Sequence, residues 1–164
     1  MIETLLRDLR QPEYLHTLLN PLPIYGLSAG LIALVIALIL RSRPAQIAAL
    51  WVMLICALAV WPVVASGERA YDNILTLSDN DGRLWLEEHE KRAERLMYVF
   101  YALGAVAAAA IAMPRKWPRS ATPLTVAALV LALASLGAGA SIAYAGGKIR
   151  HREFRTVPPP EKNG

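Results

Sequence analysis

The chain has 164 residues, of which 55% are hydrophobic, and carries a formal net charge of +4. Because the hydrophobic fraction exceeds the about 45–50% of typical globular domains and is concentrated in four uncharged blocks, the composition predicts an all-α membrane protein. Basic residues commonly flank membrane segments, so the positive charge gives no reason to expect a nucleic-acid partner. The single cysteine, Cys56, has no partner for a disulfide within the chain.

Residues 1–20 form the first predicted unit, in which leucines recur at helical spacing on both sides of Pro12. This pattern predicts a broken amphipathic helix at the membrane surface, with a frayed tail as the alternative. The acidic residues Glu3, Asp8 and Glu13 precede the first apolar block, which is not typical of a signal peptide. We therefore expect the first block to remain as a membrane span.

Residues 21–150 form the predicted membrane domain, a four-helix transmembrane bundle with spans at about 23–40, 45–65, 96–113 and 123–146. Pro62 falls in the last turns of the second span and predicts a kink there. Residues 151–164 include three consecutive prolines and are predicted to be a flexible tail. Its basic, aromatic-bearing start is typical of lipid headgroup contact, and it also complements the acidic connection between spans two and three.

That connection, residues 66–95, carries apolar residues at helical spacing and two oppositely charged i,i+4 pairs, Glu87–Lys91 and Glu88–Arg92. The run from Ser78 to Gly82 is a turn signal. We therefore predict that helices two and three extend outside the membrane as a hairpin with its tip at Asp81-Gly82.

The charges divide between the two faces of this predicted bundle. All 13 acidic residues and all three histidines fall on the face that holds both termini and the hairpin, whereas the two short loops contain only basic residues. The density of these loop charges favours cytoplasmic loops and periplasmic termini. A raw count points the other way, because only 5 of the 17 Lys and Arg residues lie in the short loops.

Small residues recur at four-residue spacing in the first and fourth spans, which predicts close helix packing in lipid. The positions are Gly26, Gly30, Gly137, Gly139, Ser141, Ala143 and Gly147.

The four blocks contain no ionisable residue of the Asp, Glu, Lys, Arg or His type, although ion pathways place such groups inside the membrane. The preferred interpretation is therefore a non-catalytic subunit or scaffold without a cofactor, not an enzyme. Its expected partners are the lipid bilayer and either another membrane protein or a second copy of the chain. A small-solute transporter is the weaker alternative.

His89 lies on the apolar stripe of its helix, and the hairpin is expected to bring it near Tyr71, Asp72 and Asn73. A histidine facing a helix bundle binds haem b or a metal, or else stays neutral and bonds to a neighbouring group. A haem- or metal-binding redox membrane protein using His89 is therefore the first alternative. A metal site of all three histidines is disfavoured, because the spacing of His16 and His151 matches no known ligand pattern.

Three short motifs resemble an uncharacterised bacterial membrane family, domain of unknown function 2231. Residues 20–26 (NPLPIYG) resemble the His-Pro-Leu-x-x-His-Phe-Pro pattern that opens the first span of that family. His89 matches a family histidine before span three, and Gly146-Gly147 resembles the end of span four. The resemblance covers about residues 18–152 and implies a four-helix inner-membrane protein with histidines suggestive of haem. At the two histidines of the opening pattern this chain has Asn20 and Tyr25.

Overall fold

Helices make up most of residues 2–161, the part of the chain that this computed structural model describes. In chain order they are α1 (Ile2–Asp8), α2 (Pro12–Leu19), a π-helical turn (Leu22–Gly26) leading into α3 (Leu27–Ile39), α4 (Arg43–Leu58), α5 (Val60–Leu77), α6 (Asn80–Ala112) and α7 (Ala121–Arg150). Two short 3-10 turns, Met113–Arg115 and Pro118–Ser120, lie between α6 and α7, and a third, Arg152–Phe154, follows α7.

Four helical stretches are long and apolar enough to cross a membrane: Pro12–Ile39, Arg43–Leu77, Asn80–Arg115 and Pro118–Arg150. The last three have 35, 36 and 33 residues, so each is about 50 Å long at a rise of about 1.5 Å per residue. The predicted all-α, four-helix membrane protein is confirmed. A bilayer core is roughly 30 Å thick, so each of these three stretches is longer than the core.

The second stretch is interrupted at Ala59, where α4 ends and α5 begins. Pro62 causes the interruption, because it has no N–H to donate to the carbonyl of Leu58 and its ring clashes with that carbonyl. The kink predicted from Pro62 is therefore observed one turn before the proline itself.

The connection between α5 and α6 is only two residues long, Ser78 and Asp79. The Asp79 carboxylate caps α6 by accepting a hydrogen bond from the Gly82 N–H at 2.8 Å. The tip predicted at Asp81-Gly82 is therefore wrong by about one turn, since both residues belong to the first turn of α6. The prediction placed the tip too late because Asp79, which lies in a sequence typical of turns, caps the start of α6.

The core lies between α3, α4, α6 and α7, with Leu34, Leu50, Met53, Phe100 and Leu103 almost fully buried. Close approach of α3 to α4 depends on the predicted glycines. A Cβ atom built on Gly30 would lie 2.9 Å from Met53 Cγ, and one on Gly26 would lie 2.5 Å from Cys56 Sγ. These distances leave no room for a side chain.

The predicted packing positions of α7 behave differently from one another. A Cβ on Gly139 would lie 3.1 Å from Ile24 Cγ1, and one on Gly147 would lie 3.6 Å from Phe154. Ser141 accepts a hydrogen bond from Arg92 at 3.2 Å, whereas Ala143 lines a cavity. Nothing in the described chain lies within 4 Å of a Cβ built on Gly137, so close packing at this position stays a prediction, and its partner would be another chain.

Helix α5 leaves this core and packs chiefly against α2. The side chains of Glu13 and Asn73 are hydrogen-bonded across this contact. The N-terminal segment is broken between Asp8 and Pro12, next to the predicted proline, and only its second half forms this pair with α5. The molecule thus has a second helix pair, α2 and α5, beside the main bundle.

The start of the C-terminal tail folds back onto the hairpin. Arg152 and Arg155 each reach the Asp79 carboxylate at 2.9 Å, and Arg155 also donates to the carbonyls of Lys148 and Ile149 at 2.8 Å. The docking on hairpin acids that the charges suggested is therefore observed at Asp79. Residues 162–164 of the predicted flexible tail lie outside the described residues.

Candidate cofactor site

Two histidines face each other across one cavity in the part of the bundle that is rich in polar residues. His16 comes from α2 and His89 from α6. Their ring centres lie 6.3 Å apart, and the ring planes are nearly perpendicular, at 88°. His89 was predicted as a candidate ligand, whereas the pairing of His16 with His89 was not predicted.

Each histidine is held by one backbone carbonyl of a neighbouring helix. His16 Nδ1 lies 2.9 Å from the Val63 oxygen on α5, and His89 Nδ1 lies 3.0 Å from the Ile142 oxygen on α7. A carbonyl can only accept, so each Nδ1 carries a proton and donates it. In the neutral ring Nε2 then keeps its lone pair. Within residues 2–161 neither Nε2 takes part in a hydrogen bond.

Each of the two histidine rings lies directly against a glycine of a neighbouring helix. A Cβ built on Gly67 would lie 3.0 Å from His16 Nδ1 and Cε1, and one built on Gly146 would lie 3.0 Å from the same atoms of His89. Such contacts are tighter than ordinary van der Waals distances, so any larger residue would push the ring away. In the sequence these two glycines are marked only weakly: Gly146 belongs to the Gly146-Gly147 end of span four, and Gly67 lies in the connection whose apolar residues recur at helical spacing.

The cavity between the histidines has a volume of about 280 Å³, near the lower end of the range for ligand sites, roughly 300–1,000 Å³. Small residues line much of its wall: Gly67, Ala70, Ala93, Gly139, Ala143 and Gly146. Larger apolar residues also line it, including Val60, Ile24 and Phe100. A wall of this kind suits a largely apolar ligand.

Charged side chains lie only along part of the cavity wall. They are Glu68, Glu90, Glu94 and Arg150, of which Glu90 alone is half-buried and the others are exposed. Tyr71 also lines the cavity, as predicted for a neighbour of His89. Asp72 and Asn73 do not line it: both are exposed, and Asn73 is hydrogen-bonded to Glu13 of α2.

The third histidine is not part of this group. His151 Nδ1 lies 2.8 Å from the Glu153 carboxylate, and its ring stacks on Phe154 with centres 4.8 Å apart. Of the two positions that replace family histidines, Asn20 lines the cavity one turn after His16, whereas Tyr25 is 74% exposed. The histidine on this stretch thus lies four residues earlier than the resemblance implies.

The geometry of the pair can be tested against metal coordination. Metal–imidazole bonds are about 2.0–2.1 Å long, so two imidazoles on opposite sides of one ion have ring centres roughly 6 Å apart. The observed 6.3 Å agrees with this arrangement. No three His, Cys, Asp or Glu side chains within residues 2–161 are close enough to hold a metal ion. Two ligands are too few for a zinc site of protein side chains, but they suit iron already held by a porphyrin.

Comparisons with known proteins give no relative from which a role could be transferred. No family model, curated protein or solved structure matches this chain.

Proposed function

We propose that this protein is a membrane haem b protein in which the Nε2 atoms of His16 and His89 would hold the haem iron. The observation that carries the proposal is the opposed pair of rings, 6.3 Å apart, each with its Nδ1 bonded to a carbonyl. A haem with two histidine ligands exchanges single electrons without opening a coordination position for substrate. The protein would therefore serve electron transfer rather than catalysis.

The carbonyls of Val63 and Ile142 have a defined part in this proposal. By accepting hydrogen bonds from the two Nδ1–H groups, these carbonyls fix the tautomer and orientation of the rings and raise the basicity of Nε2. Because both acceptors are helix backbone atoms, side-chain substitution does not remove them. Gly67 and Gly146 provide the space in which each ring lies. A bundle that served only as a scaffold would not need two histidine rings held in this way beside glycines.

We further propose a bacterial inner-membrane location, with both termini in the periplasm and the α5–α6 hairpin outside the bilayer. The lengths of α6 and α7 and the basic residues of the short loops support this placement. A reporter fused after Gly164 that is active only in the periplasm tests it. Activity in the cytoplasm alone would reverse the topology without affecting the haem proposal.

A visible spectrum of the detergent-purified protein, produced with ample haem, tests the main proposal. We expect a Soret band, low-spin bands on reduction, and one haem per chain in a pyridine haemochromogen assay. His16→Ala and His89→Ala should each remove the low-spin spectrum. His151→Ala is the matched control and should leave it unchanged, because His151 pairs with Glu153 outside the cavity.

The absence of haem in the wild-type protein under these conditions would refute the proposal and restore the subunit or scaffold interpretation. A low-spin spectrum that survives His16→Ala would refute the assigned ligand pair. Uptake of a solute by proteoliposomes without haem would favour the transporter alternative.

A further inference from the structure

Arg150 is the last residue of α7, and among the described residues that line the cavity it is the only cation. The other charged lining residues are the carboxylates Glu68, Glu90 and Glu94. Within the described chain, the Arg150 guanidinium forms no hydrogen bond and no ion pair. Its donors are therefore free for a group that enters the cavity.

The neighbouring cations are all occupied elsewhere. Lys148 is buried and donates to the Tyr144 hydroxyl at 2.7 Å, with its ammonium 4.3 Å from the centre of the Trp85 ring. Arg152 and Arg155 are bound to Asp79. Among the described basic residues at positions 148–155, only Arg150 lies on the cavity wall with an unpaired guanidinium. Its position is therefore not simply a consequence of the basic composition of this segment.

A guanidinium recognises a carboxylate through two parallel hydrogen bonds, and such charge-assisted bonds are about twice as strong as neutral ones. Elsewhere the cavity wall is apolar, carries carboxylates, which repel an anion, or carries the neutral donors Asn20 and Tyr71, whose hydrogen bonds lack a positive charge. A ligand with an apolar body and a carboxylate therefore has its most favourable place for that carboxylate at Arg150.

We propose that Arg150 anchors a carboxylate side chain of the ligand, so that the site selects tetrapyrroles with free carboxylates and binds them in one orientation. The inference rests on the proposed haem-binding function and adds a specificity-determining residue to it. Arg150 is a positioning residue, since it does not touch the metal ion.

The test compares haem b with its dimethyl ester, in which both carboxylates are blocked. Apoprotein in detergent is titrated with each compound, and the Soret change gives the two dissociation constants. The preference is the ratio of the two constants, and comparing that ratio between variants cancels the different partition of the ligands into detergent. We expect Arg150→Gln to reduce the preference for the free acid by roughly tenfold or more. The low-spin spectrum of the variant should stay unchanged.

Two further variants complete the design. Arg150→Lys keeps the charge but not the two-pronged geometry, and should retain part of the preference. Arg95→Gln removes an exposed arginine of α6 that does not line the cavity, and should leave the preference at the wild-type value. A low-spin spectrum with an unchanged preference in Arg150→Gln would overturn the anchor alone. Failure of the wild-type protein to give a low-spin spectrum with either compound would overturn the anchor together with the haem proposal.

Discussion

The two glycines beneath the histidine rings determine how far each ring can withdraw from the cavity. A leucine at Gly67 or Gly146 would place its Cβ 3.0 Å from a histidine ring and the rest of its side chain beyond that. Overpacking of this kind costs about 1–3 kcal/mol. We expect Gly67→Leu and Gly146→Leu each to raise the dissociation constant for haem about tenfold or more, as measured by Soret titration of the apoprotein.

The control for this prediction is Gly137→Leu, a glycine of the same membrane bundle whose Cβ would meet nothing within 4 Å. Its haem affinity should equal that of the wild-type protein. If the Gly67→Leu and Gly146→Leu variants have the same dissociation constant for haem as this control, the glycines do not limit the positions of the rings.

Asp79 is the other residue at which several interactions meet. The hydrogen bond from Arg155 and then that from the Gly82 N–H lower the pKa of the Asp79 carboxyl from 3.8 to about 2. Because the folded-state pKa is depressed, the stabilising contribution is present above about pH 4 and is lost as the pH falls towards 2. We expect the tail to dissociate from the hairpin in this interval, as measured at low pH by the rate of cleavage by pepsin, which is active there; at neutral pH trypsin cleavage reports the same release.

Substitution of Asp79 by Asn should reproduce the released tail at neutral pH, because the amide carries no charge for the two arginines. Asp81→Asn is the matched comparison, since Asp81 is exposed and forms no ion pair within residues 2–161. Equal cleavage of the two variants would show that the Asp79 contacts do not hold the tail.

At the scale of the helices, α7 carries two glycines that are two residues apart but face different surroundings. Gly139 is buried against Ile24 and Phe100, whereas Gly137 is exposed. Gly139→Leu should therefore lower the stability of the isolated protein by about 1–3 kcal/mol, and Gly137→Leu should leave it unchanged. Thermal unfolding in detergent, followed by circular dichroism, measures both effects.

The same pair of variants separates packing within the chain from packing between chains. If Gly137→Leu dissociated an oligomer or a partner complex while thermal stability stayed at the wild-type value, the outer face of α7 would be an interface. If both variants unfolded at the wild-type temperature, close packing at Gly139 would be ruled out as a source of stability.

Most helices could be predicted from the sequence, because their signals are local. Uncharged blocks of span length gave the four membrane helices, and the i,i+4 spacing gave the Glu87–Lys91 and Glu88–Arg92 pairs, observed at 2.7 and 2.6 Å. The hairpin tip was misplaced because Asp79 satisfies both a turn pattern and a cap pattern. The packing partner of Gly137 could not be predicted, because periodicity alone does not say which face of a helix its neighbours cover.

The histidine site could be predicted only in part, since it is a product of the whole molecule. His16 and His89 lie on helices far apart in the chain, and they meet because α2 packs on α5 rather than lying alone at the membrane surface. The position of His89 on an apolar stripe was a usable signal. No comparable signal marked His16, whose helix also exposes Tyr14 and Leu18 and meets the cavity only through the tertiary fold.

The two histidines also belong to two different helix pairs, α2 with α5 and α6 with α7, which face each other across the cavity. A ligand bound by both rings therefore connects the pairs. Such a ligand stabilises the folded state by about 2.7 kcal/mol at a concentration of 100 times its dissociation constant. The gain should be largest in α2 and α5, since α5 packs chiefly against α2 and only lightly against the main bundle.

Hydrogen exchange with mass spectrometry measures this gain segment by segment. We expect haem to slow exchange in Pro12–Leu19 and Val60–Leu77 strongly, while the core helix Leu27–Ile39, which contributes no ring, changes little. In His16→Ala the bound haem would be coordinated only through His89 of α6, and the protection of α2 and α5 should be much reduced. Uniform protection of all helices by haem, or protection that persists in His16→Ala, would show that the ligand does not connect the two pairs.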